Sequence, residues 1–164
     1  MESTIISRSS TWPWVASERN GDAKVTPNPK ATILRIEDIP QFHWGDGVIT
    51  TPLVGWEQAP DTVFTSGLTS FPPGLSVPMH SHNCGEQVTV LEGDAALEVD
   101  GETTPLRKHD TTYIPAGKSH RFNNVGASPL LVLWVCGAQQ VTRTFTETGK
   151  TVNRLAPRDT ANLA

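Results

Sequence analysis

Thirteen glycines and thirteen prolines are spread through the whole of a 164-residue chain, and this punctuation limits the fold more than any other feature. The runs between them are too brief for helices of ordinary length but long enough for strands. Their content agrees. TVFTSGLTSF, from Thr62 to Phe71, is rich in β-branched and aromatic residues and stops at Pro72-Pro73-Gly74. ALEV alternates ahead of Asp100-Gly101, a strong hairpin turn signal. Short strands with turn signals at close intervals predict an all-β sandwich or barrel. The expected first strand is Ala31 to Ile36, and the expected last is Val141 to Thr146. Leu130 to Cys136 (LLVLWVC) is apolar enough to be covered on both faces.

This divides the chain into an extended arm over residues 1–30, a barrel over 31–146 and a polar, loose tail over 147–164. The arm carries Trp12-Pro13-Trp14 and could add to a neighbour's sheet edge, so a homodimer is expected. A chain of this length can bury roughly 70% of its unfolded surface, so it needs no covalent staple to fold. Cys84 and Cys136 stand in no CxxC arrangement. They are expected to be unbridged, with Cys136 a core thiol.

Thirteen basic against seventeen acidic residues give a net charge of -4, which argues against a nucleic-acid partner. The first ten residues lack the basic segment and apolar run of a secretory signal, and no 18-residue apolar stretch occurs. A cytoplasmic protein without a membrane partner is the expectation.

The chemistry centres on Gly74 to Gly93, GLSVPMHSHNCGEQVTVLEG. His80 and His82 would point about 200° apart on a helix, but on a strand they project to one side. Glu86 follows the short turn Asn83-Cys84-Gly85, which places it on the next strand, expected to be adjacent. Imidazole nitrogens and a carboxylate oxygen converging from a β surface suit a divalent first-row metal. Cys84 could instead supply a thiolate to a zinc site, although its tight turn argues against this. His43 matches no pattern and reads as a loop residue. Tyr113, the sole tyrosine, either faces inward as a proton donor or packs elsewhere as a plain aromatic.

Gly74, His80, His82, Glu86 and Gly93 fit the first motif of the cupin superfamily at every fixed position, a match that ordinary residue frequencies rarely produce. Asp110, Pro115, Gly117, His120 and Asn124 resemble the second motif. His109 stands where that motif expects glycine, either as a turn residue with positive φ or as a group nearer the chemistry. The resemblance implies a double-stranded β-helix, a jelly-roll barrel. It implies one divalent metal per chain on His80, His82, Glu86 and His120, with two positions of an octahedron open to water, substrate or dioxygen. Phe122 shares parity with His120 and should line the same cavity.

A small, oxygen-bearing, metal-chelating substrate fits such a site. Enzymes of this family either cleave carbon–carbon bonds with dioxygen at iron or stabilise an enolate by Lewis-acid chemistry, as lyases, isomerases or decarboxylases do. The dioxygenase is favoured here, with Fe2+ ahead of Mn2+, Ni2+ or Zn2+. A non-catalytic ligand-binding cupin is the alternative from another class.

Overall fold

The computed structural model describes residues 31–154. The N-terminal arm and the dimer contact drawn from it lie outside the described residues. Ala31 to Arg35 is irregular and Ile36–Asp38 forms a 3-10 turn, where a first strand was expected. A stretch of β pattern becomes a strand only where another strand pairs with it, and among the described residues none pairs with Ala31 to Ile36.

Twelve strands follow in chain order: β1 Phe42–His43, β2 Ile49–Val54, β3 Thr65–Phe71, β4 His80–His82, β5 Glu86–Glu92 and β6 Ala95–Val99, then β7 Glu102–Leu106, β8 Thr111–Ile114, β9 His120–Asn124, β10 Leu130–Cys136, β11 Thr142–Phe145 and β12 Thr151–Asn153. They form two six-stranded antiparallel sheets, ordered β1-β2-β3-β10-β5-β8 and β12-β11-β4-β9-β6-β7. No α-helix occurs among the described residues. This is the expected jelly roll.

Local chemistry accounts for the register. Asp100 and Gly101 both take positive φ, 53° and 80°, giving the primed turn whose twist matches the β6–β7 hairpin. Prolines fall where a missing N–H matters least: Pro105 is on the edge strand β7, and Pro52 adjoins the register shift between β2 and β3. His109 has φ 74° and donates its N–H to Val90 O at 2.7 Å, which settles it as a turn residue. Histidine tolerates the left-handed region better than bulky or β-branched residues do.

The core lies between the sheets, with Val88, Val90, Leu130, Val132, Trp134, Ile114 and Phe122 buried. Each such aliphatic or aromatic side chain contributes about 1.5–3 kcal/mol of burial free energy. β10 is buried on one face only: Leu130, Val132, Trp134 and Cys136 point inward, while Leu131, Leu133 and Val135 are half-buried. Among the described residues its outer face is covered less than the sequence suggested, since no helix of theirs packs there. The tail also departs from expectation. Its early residues form β12, which pairs with β11 and delivers Arg154 to the interior.

Candidate metal centre

β4 brings His80 and His82 to the inner face of one sheet, and β9 sets His120 directly opposite His80 in the ladder. The three ring centroids lie 4.7 to 5.7 Å apart. Glu86 begins β5, in the other sheet. The turn Asn83-Cys84-Gly85 therefore crosses from one sheet to the other, and the carboxylate faces the histidines across the interior instead of from an adjacent strand. Asn83 holds that crossing. Its side chain donates to Gln140 O and accepts from Thr142 N–H at 2.8 Å, tying the turn to the segment entering β11.

All four side chains are buried, none more than 4% exposed. Each histidine places Nδ1 beside a backbone carbonyl: His80 on Pro78 O at 2.7 Å, His82 on Thr142 O at 2.8 Å, His120 on Lys118 O at 2.9 Å. A carbonyl only accepts, so Nδ1 carries a proton in all three rings and Nε2 is the nitrogen left facing the interior. This is the arrangement that orients and fixes the tautomer of a metal-binding imidazole. The donor set closes on itself. Glu86 Oε2 is 3.0 Å from His120 Nε2 and Oε1 is 3.8 Å from His82 Nε2. An imidazole nitrogen and a carboxylate oxygen 3.0 Å apart need a proton or a cation between them. Ligand atoms of His80, His82 and His120 all lie within 4.8 Å of one another, as do those of His82, Glu86 and Cys136. A divalent ion fits this set.

The electrostatics favour the ligand forms. Burial first, and then the Arg143 charge, hold His80 well below its ordinary value. Burial and Arg154 bring His82 down to about 3, against the opposing pull of Glu86. Burial by itself would raise the Glu86 carboxyl. Arg154 and the hydrogen bond from His120 outweigh it and keep Glu86 well below the usual carboxylate range. Near neutral pH the centre thus presents neutral His80 and His82 and an ionised Glu86.

Two arginines complete the surroundings, and neither was anticipated. Arg143, from β11, stacks its guanidinium 4.2 Å above the Trp44 ring. Arg154 stacks 3.8 Å above Trp134 and donates from one nitrogen to Glu86 Oε1 and to Cys136 Sγ, each at 2.8 Å. The alternation of VTRTFT offered a signal for Arg143, since it shares parity with Val141 and Phe145. Arg154 gave none, because its segment read as solvent-exposed polar chain.

Phe122 packs its ring edge-on to His120, with centroids 6.2 Å apart, and lines a cavity of about 30 Å3 with His80, Glu86 and His120. Tyr113 does not reach it. The ring is 73% exposed on the outer surface, because Ile114 takes the inward position of β8, and its hydroxyl lies over Gly85. His43 is exposed on β1. Cys84 and Cys136 are both free and buried, and burial raises both thiols. Cys136 is the buried core thiol that was expected, and its sulfur also touches Glu86 and Arg154. No helix among the described residues is long and apolar enough to cross a membrane.

Comparison with known proteins agrees with this architecture. A family model described as a cupin domain matches residues 67–136. Over 61 residues the chain is 43% identical to the polyketide synthase CurC of Streptomyces cyaneus, covering 37% of this chain and 40% of that protein. The chain thus matches less than half of that relative's length. A sugar phosphate isomerase of the cupin superfamily from Silicibacter pomeroyi superposes with a TM-score of 0.57 at 20% identity, covering 74% of this chain and 92% of the other. A protein described as a predicted oxalate decarboxylase from Thermotoga maritima gives 0.56 at 24% identity, covering 65% and 98%. Identities this low speak to the fold alone.

Proposed function

Residues 67–136 are a cupin domain, and from that premise we propose that the chain is a metal-dependent enzyme acting on a small, oxygen-bearing substrate, with a dioxygenase as the favoured form. The supporting observation is the set of three imidazoles whose Nδ1 atoms are tied to backbone carbonyls, leaving their Nε2 atoms for an ion beside the buried Glu86 carboxylate. His80, His82, Glu86 and His120 hold one divalent ion. Imidazole and carboxylate suit iron, manganese, nickel and zinc alike, and the dioxygenase reading favours Fe2+. When bound, the ion would supply Lewis-acid chemistry and, as iron, redox chemistry.

The chain's own residues supply the rest. Pro78, Thr142 and Lys118 carbonyls orient the imidazoles. Phe122 and Trp134 keep bulk water from the centre. Arg143 and Arg154 give the surroundings positive potential, which stabilises negative charge developing on substrate oxygens. That potential also favours a second reading, a lyase, isomerase or decarboxylase passing through an enolate.

Protein purified without chelator should contain close to one divalent metal per chain, and His80→Ala or His120→Ala should lose most of it. Unchanged metal content in both variants would remove the site. With iron loaded, substrate-dependent oxygen uptake across a panel of β-dicarbonyl and catechol-like compounds supports the dioxygenase. Turnover of the same panel under nitrogen supports the second reading, and no turnover at all points to a ligand-binding role.

A further inference from the structure

Two threonines and two indoles form a hydrogen-bonded network beside the metal centre. Thr50 on β2 and Thr69 on β3 stand opposite each other in the ladder, 2% and 6% exposed, with their hydroxyl oxygens 2.9 Å apart. Trp44 Nε1 donates to Thr50 Oγ1 at 2.8 Å, and Trp134 Nε1 donates to Thr69 Oγ1 at 3.1 Å. Gly67, opposite Trp134 in the ladder of β3 and β10, leaves the space in which that indole lies.

This network has one proton left over. An indole N–H only donates, whereas a threonine hydroxyl holds one proton and two lone pairs. Each hydroxyl accepts from an indole, and only one of the two hydroxyl protons can lie between the two oxygens. Whichever threonine supplies it, the other keeps a proton to donate, and three of the four lone pairs are filled. Neither hydroxyl has another hydrogen-bond partner among the described residues. A buried donor without an acceptor is costly. Both threonines line the cavity of about 30 Å3 that His80, Glu86 and His120 also line. That exceeds the roughly 10–15 Å3 one water needs and admits only a few ligand atoms.

We propose that Thr50 and Thr69 form an oxygen-anchoring site, whose spare hydroxyl proton holds an unprotonated oxygen of a small ligand that meets the ion at His80, His82, Glu86 and His120. The indoles enforce the polarity, because both hydroxyls must accept from them and so donate elsewhere. The site favours a ligand with a carbonyl or anionic oxygen in the cavity over one with an apolar group there. This rests on the metal-centre reading and narrows its substrate class.

The test uses the full chain loaded with Co2+, and azide as probe, a small anion that meets the ion at one end and accepts a hydrogen bond at the other. Affinity is read from the visible bands of Co2+, and the hydrogen bond from the infrared stretch of bound azide. Wild type should bind azide, with a stretch that shifts on exchange into D2O. Thr50→Val and Thr69→Val each leave one hydroxyl proton, so each should keep azide affinity within about threefold of wild type; the stretch should still move, because the remaining hydroxyl donates without polarisation by its neighbour. Thr50→Val/Thr69→Val should weaken azide at least about tenfold, the worth of one hydrogen bond to a charged acceptor, and Thr50→Ser/Thr69→Ser should restore it. Co2+ content should stay the same in all forms, since neither hydroxyl is a candidate ligand. If wild type takes up Co2+ but no azide, or the azide stretch ignores D2O and both single variants, the metal centre stands and the anchoring site falls. Wild-type azide affinity in the double valine variant overturns it as well. Failure of wild type to bind Co2+ removes the metal centre and this site together.

Discussion

Replacing Glu86 with glutamine in the metal-free protein should be among the most destabilising isosteric changes available to this fold. The pair it breaks is buried, with side chains 4% and 6% exposed, and its charged atoms are 2.8 Å apart. Unit charges at that separation attract by roughly 6 kcal/mol at an effective dielectric constant of about 20. Desolvation of the two groups consumes much of this in the intact pair. Glutamine, however, removes the Glu86 charge that faces the buried Arg154 guanidinium, and Arg143 lies nearby with the same sign. Breaking a buried pair from one side costs about 3–5 kcal/mol, against roughly 5–15 kcal/mol for the whole stability of a domain.

Urea unfolding in the presence of a chelator measures the loss. The midpoint should fall while the slope with denaturant stays constant, and thermal unfolding should begin roughly 10 °C or more lower. The double variant Glu86→Gln/Arg154→Met removes both charges and should be less destabilised than the sum of the single variants by at least about 1 kcal/mol. A cost below about 1 kcal/mol for Glu86→Gln, or strictly additive single costs, would refute the claim that Arg154 is held in the interior by this carboxylate.

Acid should destabilise the metal-free protein earlier than carboxylate titration alone predicts. His82 titrates at about 3 when folded against 6.5 for the free side chain, so between those values the unfolded chain binds the extra proton. Its contribution is complete above about pH 6.5 and is lost as pH falls towards 3, with a slope of up to about 1.4 kcal/mol per pH unit. His80 adds in the same direction, and Glu86, also depressed, adds below about 4.5. Denaturant midpoints that stay flat from pH 7 to 4 would contradict this. Gly67→Ala should destabilise by about 1–3 kcal/mol, because a Cβ there would overlap the Trp134 ring and lie 2.7 Å from Thr51 O; an unchanged melting temperature would mean that the sheet yields there. Tyr113→Phe should leave metal content and turnover unaltered, and a loss of either would return the hydroxyl to the site.

What the sequence determined is what short-range physics encodes. Alternation and turn chemistry set the strands: Glu86–Glu92 and Leu130–Cys136 fall where the pattern puts them, and Asp100-Gly101 turns as its residue types require. The spacing of His80 and His82 dictates a shared face, and the motif resemblance added His120 to their set. Tertiary structure decided which groups meet. Strands consecutive in sequence can lie in one sheet or in opposite sheets, and nothing within the Asn83-Cys84-Gly85 window distinguishes the two; the crossing turned Glu86 from a neighbour of the histidines into their opposite face. Tyr113 illustrates the same limit, since alternation gives parity while only the packed sheet shows which parity is inside. Arg154 lay furthest from reach. It joins His82 across 72 positions of sequence, carried there by β12 pairing on β11. Glu86, Cys136 and the Trp134 ring, brought together from β5 and β10, help make its burial favourable.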